Sequence, residues 1–165
     1  MATTSYAIAI GSNRRGRHGA PEAEVAAAIA ALGGVVTISR ILRTAPLGPS
    51  RRRYANAVAL IESAESPPTL LRRLKAIERC FGRRSGQDWA ARVIDLDIVL
   101  WSGGAWGEPG LTVPHALFRT RDFVLRPLAQ VAANWRDPIT GLAVRHLLAR
   151  LTRPARPPRG GNVGP

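Results

Sequence analysis

Cysteine, lysine and acidic residues are scarce in this sequence, and these shortages limit the disulfides, the cellular location and the kinds of ligand that can be expected. Cys80 is the only cysteine, so no disulfide can form within the chain and a reducing, cytoplasmic location is expected. Eleven acidic residues stand against 24 basic ones, of which Lys75 is the only lysine, and the formal charge is +13. That charge favours a polyanionic ligand, but the bias towards arginine, alanine and glycine explains the excess equally well.

Long apolar runs are also missing. Hydrophobic residues make up 45% of the chain and aromatic ones only 5%, and no segment is long and apolar enough to suggest a membrane span. The first residues have no basic start, and their apolar run YAIAI is too short for a signal-peptide core. With no internal repeat and no linker, the sequence predicts one domain over residues 1–151 and a disordered Pro/Gly/Arg-rich tail over 152–165.

The pattern of elements predicts an α+β fold. Strands are expected over Ser5–Ile10, Val35–Leu42, Tyr54–Glu62 and Val93–Trp101. Helices are expected from Pro21 to the Gly33-Gly34 pair, from Ser66-Pro67 to Gly82, and over two shorter C-terminal segments near residues 123–132 and 144–151. Residues 43–53 and 83–92 are predicted to be loops. The order β-α-β-β-α-β is that of a ferredoxin-like core with helices on one face and C-terminal helical additions.

Two carboxylates in the last predicted strand call for an explanation. In the run Val93–Leu100, alternate residues share a face, so Asp95 and Asp97 point the same way. Neighbouring carboxylates in an apolar strand repel each other and resist desolvation. Mg²⁺ removes both problems, because it takes one or two protein carboxylates and completes its shell with water and phosphates. Pairing with arginines at a strand edge remains the alternative.

The surroundings favour metal-assisted phosphoryl transfer. Arg92 directly precedes the strand, and His115 follows Pro114 shortly after it. The other nearby cations are Arg83, Arg84, Arg119 and Arg121. Arginines can stabilise the charge that develops on a transferred phosphoryl group, and a histidine can donate a hydrogen bond to it. His18 and His146 lack such neighbours and are predicted to be surface residues, whereas Cys80 is predicted to be a small core residue.

A glycine-containing loop resembles a phosphate-binding P-loop but does not fit the pattern. Residues 11–18 read GSNRRGRH after a predicted strand, without the Lys and Ser/Thr that contact phosphate and metal. Gly19, Ala20 and Pro21 also separate the loop from the helix whose N-terminus would bind the anion. We therefore reject this loop as a nucleotide site.

Seven blocks, taken together, resemble the 6-hydroxymethyl-7,8-dihydropterin pyrophosphokinase family. The resemblance runs from about Tyr6 to Leu151, and the most specific part is the Asp-Leu-Asp block followed by the two blocks after it. In chain order the blocks are AIGSN, RTAPLG, YANAVAL, LLRRLKAIERCFGR, RVIDLDIVL, LTVPH and RDFVLRPL. Such enzymes have a ferredoxin-like core and transfer diphosphate from ATP to the hydroxymethyl group of a reduced pterin, releasing AMP.

The resemblance also implies a role for individual residues. Two Mg²⁺ ions would be held by Asp95 and Asp97. The triphosphate would be contacted by Arg83, Arg92, His115 and Arg121. The nucleotide would be surrounded by Leu71, Lys75, Glu78, Ile98 and Thr112, with Trp89 in a loop that closes over it. The pterin would stack between Tyr54 and Phe123, while Asn56 and main-chain groups near Thr44, Pro46 and Leu47 bind its polar edge.

Two other interpretations remain open. A basic nucleic-acid-binding module with the same element order would need more strand aromatics than Tyr54 provides and would not explain the two aspartates. An inactive pterin- or nucleotide-binding relative is permitted by the stretch from Asp88 to Arg92, which reads DWAAR where the family commonly has RWGPR. Gly110 and Ala116 also depart from the family pattern. The expected partners are ATP and a reduced pterin, with no nucleic acid, no membrane and a monomeric state.

Overall fold

A single antiparallel sheet forms the centre of the protein. The computed structural model describes residues 2–45, 53–82 and 92–154. The sheet has the order β2-β4-β1-β5, with β3 pairing with β4 beyond the end of β2. Its strands are β1 (Thr4–Ser12), β2 (Val35–Ile38), β3 (Leu42–Thr44), β4 (Tyr54–Ser63) and β5 (Asp95–Trp101). The crossover helices and this strand order confirm the predicted ferredoxin-like α+β core.

Helices cover both faces of the sheet. The helices α1 (Pro21–Leu32) and α2 (Pro67–Phe81) bury a core against one face that includes Ile8, Ile10 and Leu96. The C-terminal helices α3 (Asp122–Ala132) and α4 (Val144–Thr152) bury a second core against the other face, around Ala7, Val58 and Val99. This alternation follows from the period of two in β1, where neighbouring side chains enter opposite cores. Thr152 ends α4, so the helix reaches one residue beyond its predicted end.

The predicted strand Val35–Leu42 is wrong as one element. It is broken into β2 and β3, both of which pair with β4. Between them Ser39 Oγ accepts a hydrogen bond of 2.9 Å from the Val58 amide, and the Arg40 amide donates to Gln130 Oε1 at 2.9 Å. The Ser39 amide still donates to the Val58 carbonyl at 2.9 Å, so side chains replace only some of the ladder bonds at the break. Because β3 includes Arg43 and Thr44, the loop predicted from residue 43 begins too early.

The buried stripe of α2 contains a charged residue that the apolar pattern did not predict. Glu78 is 5% exposed and lies one turn beyond Leu74 on the buried face, while Ile77 is only partly buried. Cys80, predicted to be a core residue, is exposed instead. The helix ends at Gly82, whose φ of 98° favours glycine. The stripe therefore brings a carboxylate, and not a thiol, into the interior.

A small hairpin follows the main sheet and was not predicted. It consists of β6 (Trp106–Glu108) and β7 (Leu111–Val113), and a short 3-10 helix at Phe118–Thr120 leads into α3. The sequence analysis left residues 102–122 without elements, because three-residue strands give too little periodicity to recognise. No helix in the described ranges is long and apolar enough to span a bilayer.

Candidate active site

A cleft of about 500 Å³ opens at one end of the sheet, on the face that α3 covers. It lies where β1 ends, β4 begins and β5 begins, and the first turn of α3 closes its side. Its walls are formed by Ala9, Ile10, Gly11, Ser12, Asn13, Thr44, Ala45, Tyr54, Asn56, Asp95, Asp97, Arg121, Phe123 and Val124. Seven of the residues predicted for the site therefore meet in one cavity.

Small residues of β1 form the floor of the cleft. Gly11 pairs with Asn56 on one side and with Asp95 on the other, so these three residues form a row across three strands. In the next row Ala9 lies beside Asp97. Directly paired residues share a face of the sheet, so Ala9 and Gly11 leave space between the polar side chains on either side. A Cβ atom on Gly11 would lie 2.9 Å from Asn56 Oδ1, so a larger residue there would displace the amide.

The two aspartates contribute unbalanced negative charge. The Asp95 side chain is 63% exposed, so the prediction that this carboxylate resists desolvation in an apolar strand is only partly right. Partial burial, and then the carboxylates of Glu78 and Asp97, raise the pKa of Asp95 despite the opposing effects of Arg92 and Lys75. A cation bound here would relieve this repulsion, as a divalent metal does for neighbouring carboxylates.

The donor set fits Mg²⁺ shared with a substrate. Within residues 2–45, 53–82 and 92–154, no group of three or more His, Cys, Asp or Glu side chains is arranged to hold a metal ion. A protein cage is therefore not present in this part of the chain. Asp95 and Asp97 are the two hard oxygen donors on the cleft face of β5, and Mg²⁺ commonly takes one or two carboxylates together with substrate phosphates.

Arg92 connects the cleft with a smaller pocket behind β5. Its Nη1 atom lies 3.7 Å from Asp95 Oδ1 and 3.4 Å from Glu78 Oε2. The small pocket, of about 110 Å³, is lined by Lys75, Glu78, Arg79 and Arg92. The guanidinium is 41% exposed, so a polyanionic ligand can reach it. Arg92 thus sits between the predicted nucleotide residues and the cleft.

His115 has a defined ring orientation. Its amide donates to the Val99 carbonyl at 3.0 Å, which ties it to β5. The Leu117 amide donates to His115 Nδ1 at 3.2 Å, so Nδ1 is the accepting nitrogen and the proton of the neutral ring is on Nε2. The Nε2 proton is therefore available to an external acceptor such as a phosphate oxygen.

The two aromatic residues predicted for pterin binding both line the cleft. Tyr54 begins β4 and is 37% exposed, and Phe123 lies in the first turn of α3. The Arg121 guanidinium carbon lies 5.7 Å from the centre of the Phe123 ring, so the cation and the aromatic face are neighbours. Thr44 and Asn56 provide polar groups in the same cavity. A flat heterocycle would find aromatic surface and hydrogen-bonding groups here.

The remaining predicted residues lie elsewhere. Leu71 and Ile98 pack in the core beneath α2, and Ile98 is only 3% exposed. Thr112 is exposed in the hairpin strand β7, and Lys75 binds Glu78. None of these four lines the cleft. The predictions for Pro46, Leu47, Arg83 and Trp89 lie outside the described residues.

The sequence analysis missed several residues of the cleft, of which Asn13 is the most polar. Asn13 directly follows β1 and is the last residue of the family-like block AIGSN. Its place in that block could have marked it as a candidate site residue. His18, predicted to be a surface residue, is exposed, but it has an ion-pair partner that was not predicted. His18 Nδ1 lies 2.8 Å from an oxygen of the fully buried Glu24, whose other oxygen accepts from the His18 and Gly19 amides at 2.7 and 3.2 Å. Because Glu24 occupies these amides, the rejection of a P-loop here has a structural reason.

Comparison with known proteins decides the family. The family model described as 7,8-dihydro-6-hydroxymethylpterin-pyrophosphokinase (HPPK) matches residues 7–133, well over half of the chain. The chain belongs to the HPPK family. The predicted family is thereby confirmed, and the cleft residues from Ala9 to Val124 all fall within the matched range.

Individual HPPK relatives are similar in sequence. A 2-amino-4-hydroxy-6-hydroxymethyldihydropteridine pyrophosphokinase of Haemophilus influenzae is 37% identical over 137 residues, covering 79% of this chain and 82% of the relative. The enzyme of the same name from Synechocystis is 36% identical over 109 residues, covering 66% of this chain. The aligned part of the chain spans 56% of the Synechocystis protein's length.

Solved structures agree with the fold. A structure described as HPPK-DHPS in complex with substrates superimposes with a TM-score of 0.71 at 11% identity, covering 91% of this chain and 43% of that one. The wild-type HPPK-DHPS of Plasmodium falciparum superimposes with a TM-score of 0.67 at 11% identity, covering 90% and 45%. The chain therefore spans less than half of these longer proteins, and at such identity the likeness concerns the fold alone.

Proposed function

We propose that this HPPK-family chain transfers the terminal diphosphate of ATP to the hydroxymethyl group of 6-hydroxymethyl-7,8-dihydropterin, a step of folate biosynthesis. The observation that carries the proposal is one cleft that joins an aromatic, amide-containing end to a pair of aspartates, of which Asp95 is exposed and Asp97 is half-buried. The first end suits a flat heterocycle and the second suits phosphates with a hard cation. The names of the relatives, which are hydroxymethyldihydropteridine pyrophosphokinases, support a hydroxymethyldihydropterin as that heterocycle.

The pterin would lie between Tyr54 and Phe123. Stacking on both faces excludes water and fixes the plane of the ring. The Asn56 amide offers a donor and an acceptor to the polar edge, and Thr44 and main-chain groups beside it complete the set. Pro46 and Leu47 remain proposed contributors of main-chain contacts. In this position the hydroxymethyl group is directed along the floor towards Asp95 and Asp97.

The triphosphate would lie over the start of β5. Arg92, His115 through its Nε2 proton, and Arg121 are proposed to contact the phosphates from different elements, and Arg83 remains a further proposed contact. Their role is to neutralise negative charge on the phosphates and to hold the β-phosphorus in line with the attacking oxygen. Leu71, Lys75, Glu78, Trp89, Ile98 and Thr112 remain the proposed surroundings of the nucleoside.

The aspartates are proposed to hold Mg²⁺, with two ions expected. Bound there, Mg²⁺ would supply charge neutralisation on the phosphates. The hydroxymethyl oxygen forms a bond to the β-phosphorus, and the bond from the β-phosphorus to the oxygen that bridges to the α-phosphorus breaks. AMP leaves with that oxygen, and the hydroxyl proton is released. Positioning and charge compensation carry the reaction, so no covalent intermediate on the protein is required.

The product of the reaction tests the proposal. Purified protein is incubated with ATP and Mg²⁺, with and without 6-hydroxymethyl-7,8-dihydropterin, and the nucleotides are separated. The proposal predicts AMP that depends on the pterin and equals the pterin diphosphate formed. Release of ADP would mean transfer of a single phosphoryl group, and a lack of turnover by folded protein would leave only a binding function.

Assembly and location remain predictions from the sequence. The protein is proposed to be a monomer and to bind no nucleic acid. Sedimentation at several concentrations tests the monomeric state directly. A cytoplasmic location is proposed from the single cysteine. The one-domain division with a tail over 152–165 is also a proposal, since residues 155–165 lie outside the described ranges.

A further inference from the structure

The buried carboxylate of Glu78 occupies an unusual position behind the proposed active site. It is 5% exposed and lies on the apolar stripe of α2, where burial of an uncompensated charge is costly. It belongs to the opposite face of the sheet from the cleft, so its carboxylate does not line the cavity. Something other than direct contact with the pterin must explain a charge at this place.

Glu78 holds the strand from which the two aspartates project. Its Oε1 atom accepts a hydrogen bond of 2.8 Å from the amide of Leu96, the residue between Asp95 and Asp97. Because β5 is the last strand of the sheet, alternate amides point away from β1, and the Leu96 amide is one of these. Without an acceptor it would be a buried, unpaired donor. The carboxylate thus joins α2 to the centre of the Asp-Leu-Asp segment.

The Glu78 carboxylate also forms ion pairs with two basic side chains at the border of the cleft. Lys75 Nζ lies 3.0 Å from both oxygens of Glu78, and Arg92 Nη1 lies 3.4 Å from Oε2. Arg92 is at the same time 3.7 Å from Asp95 Oδ1. Arg92 is therefore shared between a buried anion that stays in place and an exposed one that faces the ligand. The ion pair with the buried Glu78 therefore favours a position of the guanidinium beside Asp95.

We propose that Glu78 is a positioning residue, which fixes the Asp95–Asp97 segment through the Leu96 amide and holds Arg92 beside the site of phosphate transfer. Its two tasks use different chemistry. The Leu96 amide needs only an oxygen acceptor, whereas Arg92 and Lys75 need a negative charge. The inference rests on the proposed function for its kinetic consequences but not for its structural ones.

Two substitutions separate the tasks. Glu78→Gln keeps an oxygen for the Leu96 amide and removes the charge, while Glu78→Leu removes both. Glu65→Gln is the matched control, because Glu65 is a partly buried carboxylate paired with Arg73 at 2.9 Å at the other end of α2. Thermal unfolding of all three variants identifies any that fail to fold.

The structural readout is hydrogen exchange of the Leu96 amide followed by NMR. We expect Glu78→Leu to accelerate exchange at Leu96 by at least about tenfold, since its acceptor is lost. Glu78→Gln and Glu65→Gln should leave it protected, and the Leu125 amide of α3 should be unaffected throughout. Unchanged protection of Leu96 in Glu78→Leu would overturn the structural part of the proposal.

The kinetic readout is a double-mutant cycle with Arg92. We expect Glu78→Gln to lower kcat about tenfold in the wild type but less than about twofold in an Arg92→Ala background, because contacting residues couple. The KM for the pterin should stay unchanged in both. Additive effects would overturn the role through Arg92. If the wild type itself releases no AMP the proposed function fails, while hydrogen exchange at Leu96 still tests Glu78.

Discussion

The carboxylates of Asp95 and Asp137 differ in burial, in their hydrogen-bond donors and in the direction in which their pKa values are shifted. Asp137 is fully buried beside the 3-10 helix, where Arg119 donates to both of its oxygens at 2.7 and 2.8 Å and Thr140 donates at 2.6 Å. These donors overcome the effect of burial and lower the pKa of Asp137 to about 2. Asp95 is exposed and has Arg92 at 3.7 Å, and its pKa is raised first by partial burial and then by the carboxylates of Glu78 and Asp97, against the effects of Arg92 and Lys75.

The difference separates a structural carboxylate, Asp137, from Asp95, which is proposed to bind a cation and its ligand. The Asp137 carboxylate has its donors within the protein and closes a loop through the Ile139 amide at 3.1 Å. The Asp95 carboxylate accepts no hydrogen bond comparable to these among the described contacts and has a raised pKa, and its proposed partner is a bound cation. Unmatched titratable groups that line a cleft are candidates for function on this ground.

Replacing an aspartate of the cleft should give the largest effect on activity and little on stability. Asp97→Asn keeps the size of the side chain and removes the charge proposed to hold Mg²⁺. We expect kcat to fall by about a hundredfold to a thousandfold, as for loss of a principal electrostatic contact in a transition state. Steady-state AMP formation at saturating Mg²⁺ measures it, with urea unfolding as the control. A near-normal kcat would contradict the proposed role of Asp97 in holding Mg²⁺.

Replacing the buried aspartate should have the opposite outcome. Asp137→Asn removes the buried half of the pair and leaves the half-buried Arg119 without its charge partner, and breaking a buried ion pair typically costs about 3 kcal/mol of unfolding free energy. The kcat of the folded fraction should remain within about twofold of the wild-type value, since surrounding structure is preserved. Urea unfolding and active-site titration check both halves. A large loss of kcat with unchanged stability would reverse the assignment.

The same contrast should be visible in the pH dependence of stability. Because the pKa of Asp137 is lowered from 3.8 to about 2, its ionised form stabilises the folded state. This contribution, about 2 kcal/mol, is fully present above about pH 4 and is lost as the pH falls through 2. The wild-type minus Asp137→Asn difference in unfolding free energy should therefore decline over that window. A difference that is constant from pH 5 to pH 2 would contradict the lowered pKa.

A substitution at the aromatic end of the cleft should change the affinity for the pterin more than it changes kcat. Tyr54→Ala removes one face of the proposed pterin sandwich, and we expect the Kd for the pterin to rise about tenfold. Because Tyr54 is 37% exposed at the start of β4, stability should change little. Fluorescence or calorimetric titration with the pterin measures the effect. An unchanged Kd for the pterin together with an altered Kd for the nucleotide would mean that Tyr54 contacts the nucleotide and not the pterin.

The smallest effect concerns the floor of the cleft. Gly11→Ala places a methyl group 2.9 Å from Asn56 Oδ1 and should turn the amide, so that the pterin Kd rises several-fold, by about 1 kcal/mol. Gly107→Ala in the hairpin is the control, because a Cβ there meets no atom within 4 Å. Equal effects of the two substitutions on pterin binding would mean that Gly11 does not shape the site.

The core of the fold was predictable because its elements are long and regular. The strands around Ile8, Val58 and Ile98 alternate over many residues, and α2 has a clear stripe between a proline start and a glycine end. The hairpin at residues 106–113 was not predictable, since each of its strands has three residues. The break at Ser39 was also missed, because a side-chain acceptor in place of a ladder bond leaves no periodic signal.

The candidate site was predictable in its residue types but not in its geometry. Asp95 and Asp97 stood out because charge interrupts an apolar strand, and the family resemblance suggested Tyr54 and Phe123. The sequence did not predict that Glu78 is buried, since a carboxylate four residues after Leu74 would ordinarily face solvent. Nor did it predict the pairing of His18 with Glu24, which depends on a loop folding back onto α1.

The most direct test of the unmatched charge is metal-dependent nucleotide binding. In the proposed reaction the bond that breaks lies between the α- and β-phosphates, so α,β-methylene-ATP should bind without reacting. Calorimetric titration of the wild type should show binding that requires Mg²⁺ and is lost in EDTA, and Asp97→Asn should bind equally weakly in both. Equal affinity of the wild type with Mg²⁺ and with EDTA would contradict the account.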